Sequence, residues 1–306
     1  MKKKLNKKLI ITCISILVIL LIFFGLYFRT GFLQLSSIDQ RDLSHWEYNN
    51  GIINKAEEVT LSGSNETCWY LIHGYTSTPD ELRELAKKIN SEFNETVVVT
   101  RLKGHGEVPS HILNLSLEDW YIQTSFELEE IQANCEKVNL VGFSFGGTLS
   151  TRLAEDYEVN HIYLLSPYIY TTYHFYYGLK PKTYLRIFSP ILHYSKKTQI
   201  GQINFKEGLE NHIAYWNMPF APVINSKSFI EETTANISKI TEPLLVQHSK
   251  GDQTSDIKSS QTILDRVSSK TKKLILFDKS NHILIEDYDK EAVIKNILEF
   301  EKGLSN

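Results

Sequence analysis

Short apolar runs alternate with longer amphipathic stretches along most of this chain. The runs predict strands, and they lie at residues 58–61, 68–72, 95–100, 138–141, 160–166, 243–248 and 272–277. Apolar residues spaced three and four apart predict helices that begin near Thr78, Ser116 and Lys290. Because most strands are apolar throughout and alternate with helices, we expect a mostly parallel central sheet with helices on both faces. The pattern predicts one α/β domain over residues 58–303.

One long segment, residues 168–240, interrupts this alternation because it shows no regular strand-helix unit. Its aromatic and thioether side chains include Tyr168, Tyr170, Tyr173, Phe175, Tyr176, Tyr177, Trp216, Met218 and Phe220. Long insertions in compact domains are usually functional, and aromatic rings suit the wall of an apolar binding site. We therefore expect an inserted lid, although the same rings could also pack the segment against the sheet.

The N-terminus holds the longest apolar stretch of the chain. Residues 9–28 contain no charged side chain, and about 20 helical residues span the core of a bilayer. The lysines before this run predict a cytoplasmic N-terminus at residues 1–8. We expect a transmembrane anchor at residues 9–28, a juxtamembrane stalk at residues 29–57 and a single-pass protein whose large domain lies outside the cytoplasm. A cleaved signal peptide is less favoured, because no small-residue cleavage site follows the run.

The charge of the large domain argues against a nucleic-acid partner. The first 29 residues hold six basic and no acidic side chains, and the rest of the chain holds 27 basic and 36 acidic ones. The rest therefore carries a net charge of about −9, whereas nucleic acids are bound by basic patches.

Three cysteines bear on the redox environment of the chain. Cys13 lies in the apolar run, whereas Cys68 and Cys135 each stand at or just before the start of a predicted strand. Neighbouring strands would bring the second pair close, so these two could form a disulfide outside the cytoplasm. We favour the simpler expectation that both are reduced and buried.

The sequence Gly142-Phe143-Ser144-Phe145-Gly146 carries the strongest sign of chemistry. Ser144 stands between two glycines, directly after an apolar strand and before a small-residue helix. A tight turn between strand and helix lifts a serine oxygen clear of the sheet and strains the backbone, which suits a nucleophile. The sequence therefore predicts Ser144 as a nucleophile, provided that a base and an acid lie nearby.

Candidates for the base and the acid follow two later strands. His282 lies just after the last predicted strand, and Asp252 follows the strand at residues 243–248. The carboxyl ends of parallel strands meet at one edge of the sheet, where Ser144 also lies. Asp256 is a near rival for the acid because it lies slightly further along the same loop. Along the chain the serine comes first, the acid second and the histidine last. This order of Ser144, Asp252 and His282 is typical of serine nucleophiles on α/β sheets.

Two backbone amides are candidates for binding the oxyanion that forms during acyl transfer. The amide of Phe145 directly follows the nucleophile at the start of a helix. The amide of Tyr75 lies in the loop after the strand at residues 68–72. This chemistry needs no metal and no cofactor.

Taken together, these motifs resemble those of the α/β-hydrolase superfamily. They are His73-Gly74-Tyr75-Thr76-Ser77-Thr78-Pro79, Gly104-His105-Gly106, Trp120, Gly142-Phe143-Ser144-Phe145-Gly146-Gly147, Gly251-Asp252 and Ser280-Asn281-His282. The pattern is most similar to the bacterial carboxylesterase and monoacylglycerol-lipase-like branch, with its serine-aminopeptidase-like relatives, over about residues 58–303. The resemblance implies catalytic Ser144, Asp252 and His282, with oxyanion donors at Tyr75 and Phe145. Phe145 stands where many relatives have methionine or leucine.

We therefore expect a membrane-anchored serine hydrolase that cleaves small hydrophobic or lipid-derived carboxylic esters. A peptidase or amidase that uses the same triad is the alternative, because nothing in the loops separates esters from amides. Thioesterase or haloperoxidase-like activity also stays open, since fold and triad do not select the leaving group. A non-catalytic binding protein is less favoured because all the catalytic positions are occupied by suitable residues.

Overall fold

The computed structural model describes residues 7–30, 38–172, 193–197 and 199–304. In the described residues, the strands are β1 (Tyr48–Asn49), β2 (Ile52–Ile53), β3 (Val59–Leu61), β4 (Ser64–Ile72), β5 (Glu95–Thr100), β6 (Lys137–Phe143), β7 (Ile162–Leu165), β8 (Tyr194–Lys196), β9 (Asn217–Pro219), β10 (Leu244–Ser249) and β11 (Lys272–Phe277). The α-helices are α1 (Lys7–Thr30), α2 (Gln40–His45), α3 (Asp80–Phe93), α4 (Leu117–Asn134), α5 (Phe145–Asp156), α6 (Lys206–Asn211), α7 (Ala221–Asn225), α8 (Lys227–Asn236), α9 (Lys258–Arg266) and α10 (Lys290–Leu304). Short 3₁₀ turns lie at Pro109–Ile112, Ile237–Lys239 and Leu284–Glu286.

Seven of the described strands form the central sheet, in the order β11-β10-β7-β6-β4-β5-β3. All neighbouring pairs are parallel except β3 with β5, which are antiparallel at one edge. The prediction of a mostly parallel sheet is confirmed. Strands β4 and β6 are neighbours, so the loops that follow them emerge side by side.

Two hydrophobic clusters cover opposite faces of this sheet. Tyr70 and Ile72 of β4 belong to one cluster, with apolar residues of α4, α5, α8 and α9. Trp69 and Leu71 of the same strand belong to the other, with residues of α3 and α10. This alternation along β4 follows from the two-residue period of a strand, and it confirms the predicted helices on both faces.

The N-terminal part consists of the long helix α1 and a folded segment after it. Apolar side chains of α1 are exposed, among them Ile11 and Phe24. Among the residues that the structure describes, no helix is both long enough and apolar enough to cross a membrane. Residues 38–57, within the segment predicted to be a stalk, pack onto the large domain and bury Ile38 and Ile53. Residues 1–6 and 31–37 lie outside the described part of the chain.

Cys68 and Cys135 form a disulfide, so the expectation that both are reduced is wrong. Their Cα atoms lie 6.0 Å apart, within the usual range for a disulfide. Cys68 pairs in register with Val138 of β6, and Cys135 lies just before that strand. The two cysteines therefore meet because β4 and β6 are neighbours that start at the same end of the sheet.

The insertion contains short elements in place of regular strand-helix units. Strands β8 and β9 form an antiparallel ribbon. Along the chain, helix α6 lies between these two strands, and α7 and α8 follow β9. Tyr215 and Phe220 are buried, as expected of rings that pack the insertion against the domain. Tyr173, Phe175, Tyr176 and Tyr177 lie outside the described residues, and the role of the insertion as a lid stays a prediction.

Candidate active site

Ser144 occupies a sharp turn between β6 and α5. Its backbone has φ 53° and ψ −115°, a left-handed conformation that non-glycine residues rarely adopt. The two flanking glycines are needed because backbone comes very close. A Cβ at Gly142 would lie 2.3 Å from the Gly146 oxygen, and one at Gly146 would lie 2.1 Å from the Ile72 oxygen. The local sequence thus allows α5 to start directly against the end of β4.

His282 connects Ser144 to an acid through its two ring nitrogens. The Ser144 hydroxyl lies 2.9 Å from His282 Nε2, and His282 Nδ1 lies 2.7 Å from Asp252 Oδ2. All three side chains are buried but not sealed, with 5 to 7% of each residue exposed. The structure brings the predicted serine, histidine and acid together in one hydrogen-bonded chain.

The Asp252 carboxylate accepts hydrogen bonds on both oxygens. Thr254 N and Ser255 N donate to Oδ1 at 2.7 and 2.8 Å, while His282 and His248 contact Oδ2. Burial raises the pKa of Asp252, but the two imidazole rings outweigh it and hold the pKa well below its usual range. Asp252 therefore stays ionised and can orient the imidazole of His282.

Asp256, the rival acid, has a different position in the structure. Its Oδ1 accepts a hydrogen bond from Lys258 N at 2.9 Å, and its backbone oxygen accepts one from Ser259 N at 2.7 Å. These contacts hold the start of α9. The carboxylate that contacts His282 is that of Asp252, four residues earlier.

The loop that carries His282 is fixed by its own side chains. Asn281 Oδ1 accepts hydrogen bonds from His282 N and Gln253 N, at 2.9 and 3.1 Å. The ring of Phe143, just before Ser144, lies 5.0 Å from the imidazole of His282, measured between centroids. The loops after β10 and β11 are thus tied to each other and to the Ser144 turn.

The two predicted oxyanion donors lie on adjacent turns. Tyr75 follows Gly74, where an added Cβ would lie 3.3 Å from Ser144 Cβ. The rings of Tyr75 and Phe145 stack with centroids 5.2 Å apart. In the described part of the chain, neither backbone amide donates to a protein acceptor. Both amides are therefore available to an oxygen atom beside Ser144.

His73 and His105, which also follow strands, hold the backbone around these turns. His73 Nε2 accepts from Leu102 N, and His105 Nε2 accepts from Thr76 N, each at 3.2 Å. Burial lowers the pKa of His73 to about 4 and that of His105 well below its usual range. Both rings are thus neutral acceptors that hold the backbone of their glycine-flanked loops.

Aromatic rings line the surroundings of Ser144. The Phe145 ring contacts Tyr168 with centroids 5.0 Å apart, besides its stacking on Tyr75. Trp120 packs on Tyr75 at 5.9 Å. Tyr168 belongs to the predicted aromatic insertion, so at least one of its rings reaches the neighbourhood of Ser144 through Phe145.

Three polar residues beside the site, of which Glu81 and His248 are buried, were not predicted from the sequence. His248 contacts Asp252, Glu81 binds the loop after β4, and Lys197 reaches that same loop from the insertion. The position of His248 at a strand end, four residues before Asp252, was a usable signal. Lys197 carries no comparable signal, because its partner Thr76 is known only once the insertion is folded. The partners of Glu81, Gly74 and Ser77, lie close to it in the sequence, but no motif marks the contact.

Glu81 holds the turn that precedes Tyr75. Gly74 N donates to its Oε1, and Ser77 Oγ contacts its Oε2, both at 2.5 Å. Burial raises the pKa of Glu81 to about 7, although nearby His212 lowers it. The carboxyl group can therefore hold a proton near neutral pH while it keeps both contacts.

The sequence matches one protein family and is similar to two bacterial enzymes named for ester cleavage. Residues 63–289 match the family described as serine aminopeptidase, S33. The thermostable monoacylglycerol lipase of Bacillus sp. strain H-257 is 26% identical over 239 residues, which cover 75% of this chain and 88% of the relative. The carboxylesterase of Bacillus subtilis strain 168 is 21% identical over 236 residues, which cover 76% and 92%.

Solved structures of lipolytic enzymes resemble the fold. A structure described with the metagenome-derived lipolytic enzymes LipS and LipT gives a TM-score of 0.73 at 20% identity, covering 84% of this chain and all of that one. At this identity the likeness establishes the fold alone, and the fold is the α/β-hydrolase fold expected from the sequence.

Proposed function

Because the chain belongs to the serine aminopeptidase S33 family, we propose that it is a serine hydrolase that cleaves carboxylic esters of hydrophobic or lipid-derived acyl groups. The observation that carries this proposal is the chain of hydrogen bonds from Ser144 through His282 to Asp252. The relatives named monoacylglycerol lipase and carboxylesterase support the ester bond as the target. The rings around Phe145 support an apolar acyl group.

The proposed reaction proceeds through an acyl-enzyme. His282 takes the proton of the Ser144 hydroxyl as the serine oxygen attacks the ester carbonyl. The negative charge that develops on the carbonyl oxygen is bound by the amides of Tyr75 and Phe145. His282 then gives its proton to the leaving alcohol, and the acyl group stays on Ser144.

Water completes the cycle in the same geometry. His282 takes a proton from the water that attacks the acyl-enzyme, the carboxylic acid leaves, and the proton returns to Ser144. Throughout these steps Asp252 holds the imidazole with Nε2 toward Ser144 and stabilises the imidazolium. The low pKa of Asp252 supports this role, since the carboxylate keeps its charge while His282 takes up a proton.

The test is turnover of an ester series by the purified full chain. We expect hydrolysis of nitrophenyl esters of several chain lengths and of a monoacylglycerol, with background rates in Ser144→Ala. The Asp252→Asn variant should lose about three to four orders of magnitude in kcat, because the imidazole is no longer held in the productive tautomer. The matched control, Asp256→Asn, changes an acid of the same loop and should stay within a few-fold of wild type.

Two results would count against ester hydrolysis. Wild-type turnover no higher than that of Ser144→Ala on every ester would remove the proposed activity. A fluorophosphonate probe that fails to modify Ser144, read out by mass spectrometry of the labelled peptide, would favour a non-catalytic binding protein instead.

A peptidase or amidase activity is the second candidate, and the family description itself favours it. The same triad would act, but the leaving group would be an amine that needs the proton of His282 before it can depart. Turnover of aminoacyl-arylamides that exceeds ester turnover in kcat/KM would select this candidate. Modification of Ser144 by the probe is expected in either case.

We also propose that residues 9–28 anchor the protein in the cell membrane with the catalytic domain outside the cytoplasm. The uncharged run and the lysines before it support the anchor, and the Cys68–Cys135 disulfide supports an oxidising compartment. The full chain should stay in carbonate-washed membranes, and Leu17→Arg with Leu20→Arg should release it. Leu43→Arg on α2 is the control, and complete release of the wild type would refute the anchor.

A further inference from the structure

The insertion holds the loop that carries the Tyr75 amide. Tyr215 N donates to the Thr76 oxygen at 2.8 Å. The Tyr75 hydroxyl donates to the Pro219 oxygen at 2.7 Å. The loop after β4 is therefore bound to the insertion just before β9 and at the last residue of β9, and its backbone depends on how the insertion is placed.

Thr76, directly after Tyr75, has a strained backbone. Its φ is +61°, which is rare for a β-branched side chain. Such a conformation persists only where the surrounding contacts impose it. Every polar group of Thr76 has such a contact: its N–H donates to His105, its backbone oxygen accepts from Tyr215, and its hydroxyl accepts from Lys197.

Lys197 is the charged member of this set. It directly follows β8, and its own N–H donates to the Trp216 oxygen at 2.9 Å. Its Nζ donates to Thr76 Oγ1 at 2.8 Å and to the Ile200 oxygen at 3.2 Å. Burial lowers the pKa of Lys197 to about 8, which leaves the ammonium mostly charged at neutral pH. A charged donor makes a stronger hydrogen bond than a neutral one.

We propose that Lys197 is a positioning residue for the oxyanion site, holding Thr76 in its left-handed conformation so that the Tyr75 amide faces the reacting carbonyl oxygen. The inference rests on the proposed function and adds a residue that lies in the insertion, outside the core of the domain. An amide that is misdirected stabilises the transition state less while it leaves substrate binding unchanged. Loss of Lys197 should therefore lower kcat and leave KM close to its original value.

A purely structural role for Lys197 has to be separated from this one. Asp42 of α2 is fully buried, and it accepts hydrogen bonds from Trp216 N at 2.7 Å and Asn217 Nδ2 at 3.2 Å. Lys197 lies close enough to lower the pKa of this carboxyl, which burial raises to about 6. Lys197 could thus serve only as the counter-charge of Asp42, in which case removal of both charges would restore the enzyme.

The test compares steady-state kinetics of full-length variants on one nitrophenyl ester. Lys197→Met keeps the length of the side chain and removes the donor, and we expect kcat to fall by about tenfold or more with KM within about twofold. Lys196→Met is the matched control on the neighbouring lysine of β8. Thr76→Val removes the acceptor and should lower kcat similarly. The combination of Lys197→Met with Thr76→Val should be no slower than the slower single variant, because both changes break the same bond.

The combination of Asp42→Asn with Lys197→Met separates the two roles. Under the proposal it regains thermal stability, since no charge is left unpaired, yet keeps the low kcat. Recovery of kcat in this variant, or a loss in Lys197→Met no larger than in Lys196→Met, would overturn the proposal.

A second set of measurements tests the positioning role of Lys197 separately from the proposed function. Hydrogen exchange of the peptide that contains Tyr75 and Thr76 should be faster in Lys197→Met than in Lys196→Met, and the rate of fluorophosphonate labelling at Ser144 should be lower. If the wild type cleaves neither esters nor amides, the rate of fluorophosphonate labelling at Ser144 replaces kcat as the test of the positioning role. If Ser144 is not labelled at all, the proposed function has failed, and unchanged exchange in Lys197→Met would then refute the positioning role independently.

Discussion

His248 and His282 contact the same oxygen of Asp252. His282 Nδ1 lies 2.7 Å and His248 Nε2 lies 3.2 Å from Oδ2. The Nδ1 atom of His248 lies 2.6 Å from the Ser260 hydroxyl, and its Nε2 also lies 3.1 Å from the Ser255 oxygen. Because that backbone oxygen can only accept, Nε2 of His248 carries the proton and donates to the carboxylate as well.

This shared oxygen predicts an effect of His248 on the pH profile. In His248→Leu the Asp252 carboxylate loses one of the two imidazole contacts that hold its pKa down, so its pKa rises and it loses its charge at a higher pH. The acid limb of kcat/KM should move to higher pH, as measured on a neutral ester. His248→Gln, which can still donate, should move the limb less. Identical profiles for wild type and His248→Leu would contradict the prediction.

The disulfide predicts a stability difference that needs no activity to measure. Cys68→Ala with Cys135→Ala should lower the free energy of unfolding by roughly 3–4 kcal/mol, because the cross-link no longer restricts the unfolded chain. The sequence separation of 67 residues makes this loop a long one. Urea unfolding of the full chain checks the value, with Cys13→Ala as the control. Equal midpoints for the double variant and the oxidised wild type would contradict it.

The tight turn at Ser144 predicts that even a methyl group at position 146 disrupts the local structure. In Gly146→Ala, the new methyl group would collide with the Ile72 oxygen at the end of β4. We expect both a lower melting temperature and strongly reduced probe labelling of Ser144. Gly303→Ala is the control, because nothing lies within 4 Å of a Cβ built there. Normal labelling in Gly146→Ala would show that the turn tolerates a shift of α5.

Glu81 predicts that part of the stability falls as pH rises. The pKa of this buried carboxyl is about 7 when folded, above that of an unfolded glutamate, so the folded state binds more protons between the two values. The stabilisation that protonated Glu81 contributes is fully present below about pH 4.5. On the order of 2 kcal/mol of it is lost as the pH rises from about 5 to 7. Glu81→Gln should remove this slope in urea unfolding. An unchanged slope would mean that other groups cause it.

The common location of the candidate site residues follows from the hydrophobic pattern of the chain. Each apolar run that forms a parallel strand also marks the edge where its following loop emerges, and this places Ser144, Asp252 and His282 at one edge of the sheet. The closeness of Cys68 and Cys135 followed for the same reason. Their redox state did not, because strand order determines distance and not oxidation.

The contacts made by the insertion could not be predicted from the sequence. Lys197 is separated from Thr76 by 121 positions, and no period or motif links the two. Asp42 lies in a segment without a clear hydrophobic period, so neither its burial nor its hydrogen bond from Trp216 N could be predicted. Residues of this kind acquire their role from tertiary contacts, which override local propensity.

The Cys68–Cys135 bond has a consequence for how the sheet can come apart. It closes the starting ends of β4 and β6, while the far ends of the same two strands lead to Tyr75 and Ser144. Separation of these two strands is therefore opposed by a covalent bond near one end and by noncovalent contacts alone at the Ser144 end. The Tyr75 loop and the Ser144 turn lie at the end that has no cross-link, where hydrogen bonds from Glu81 and the insertion hold the backbone instead.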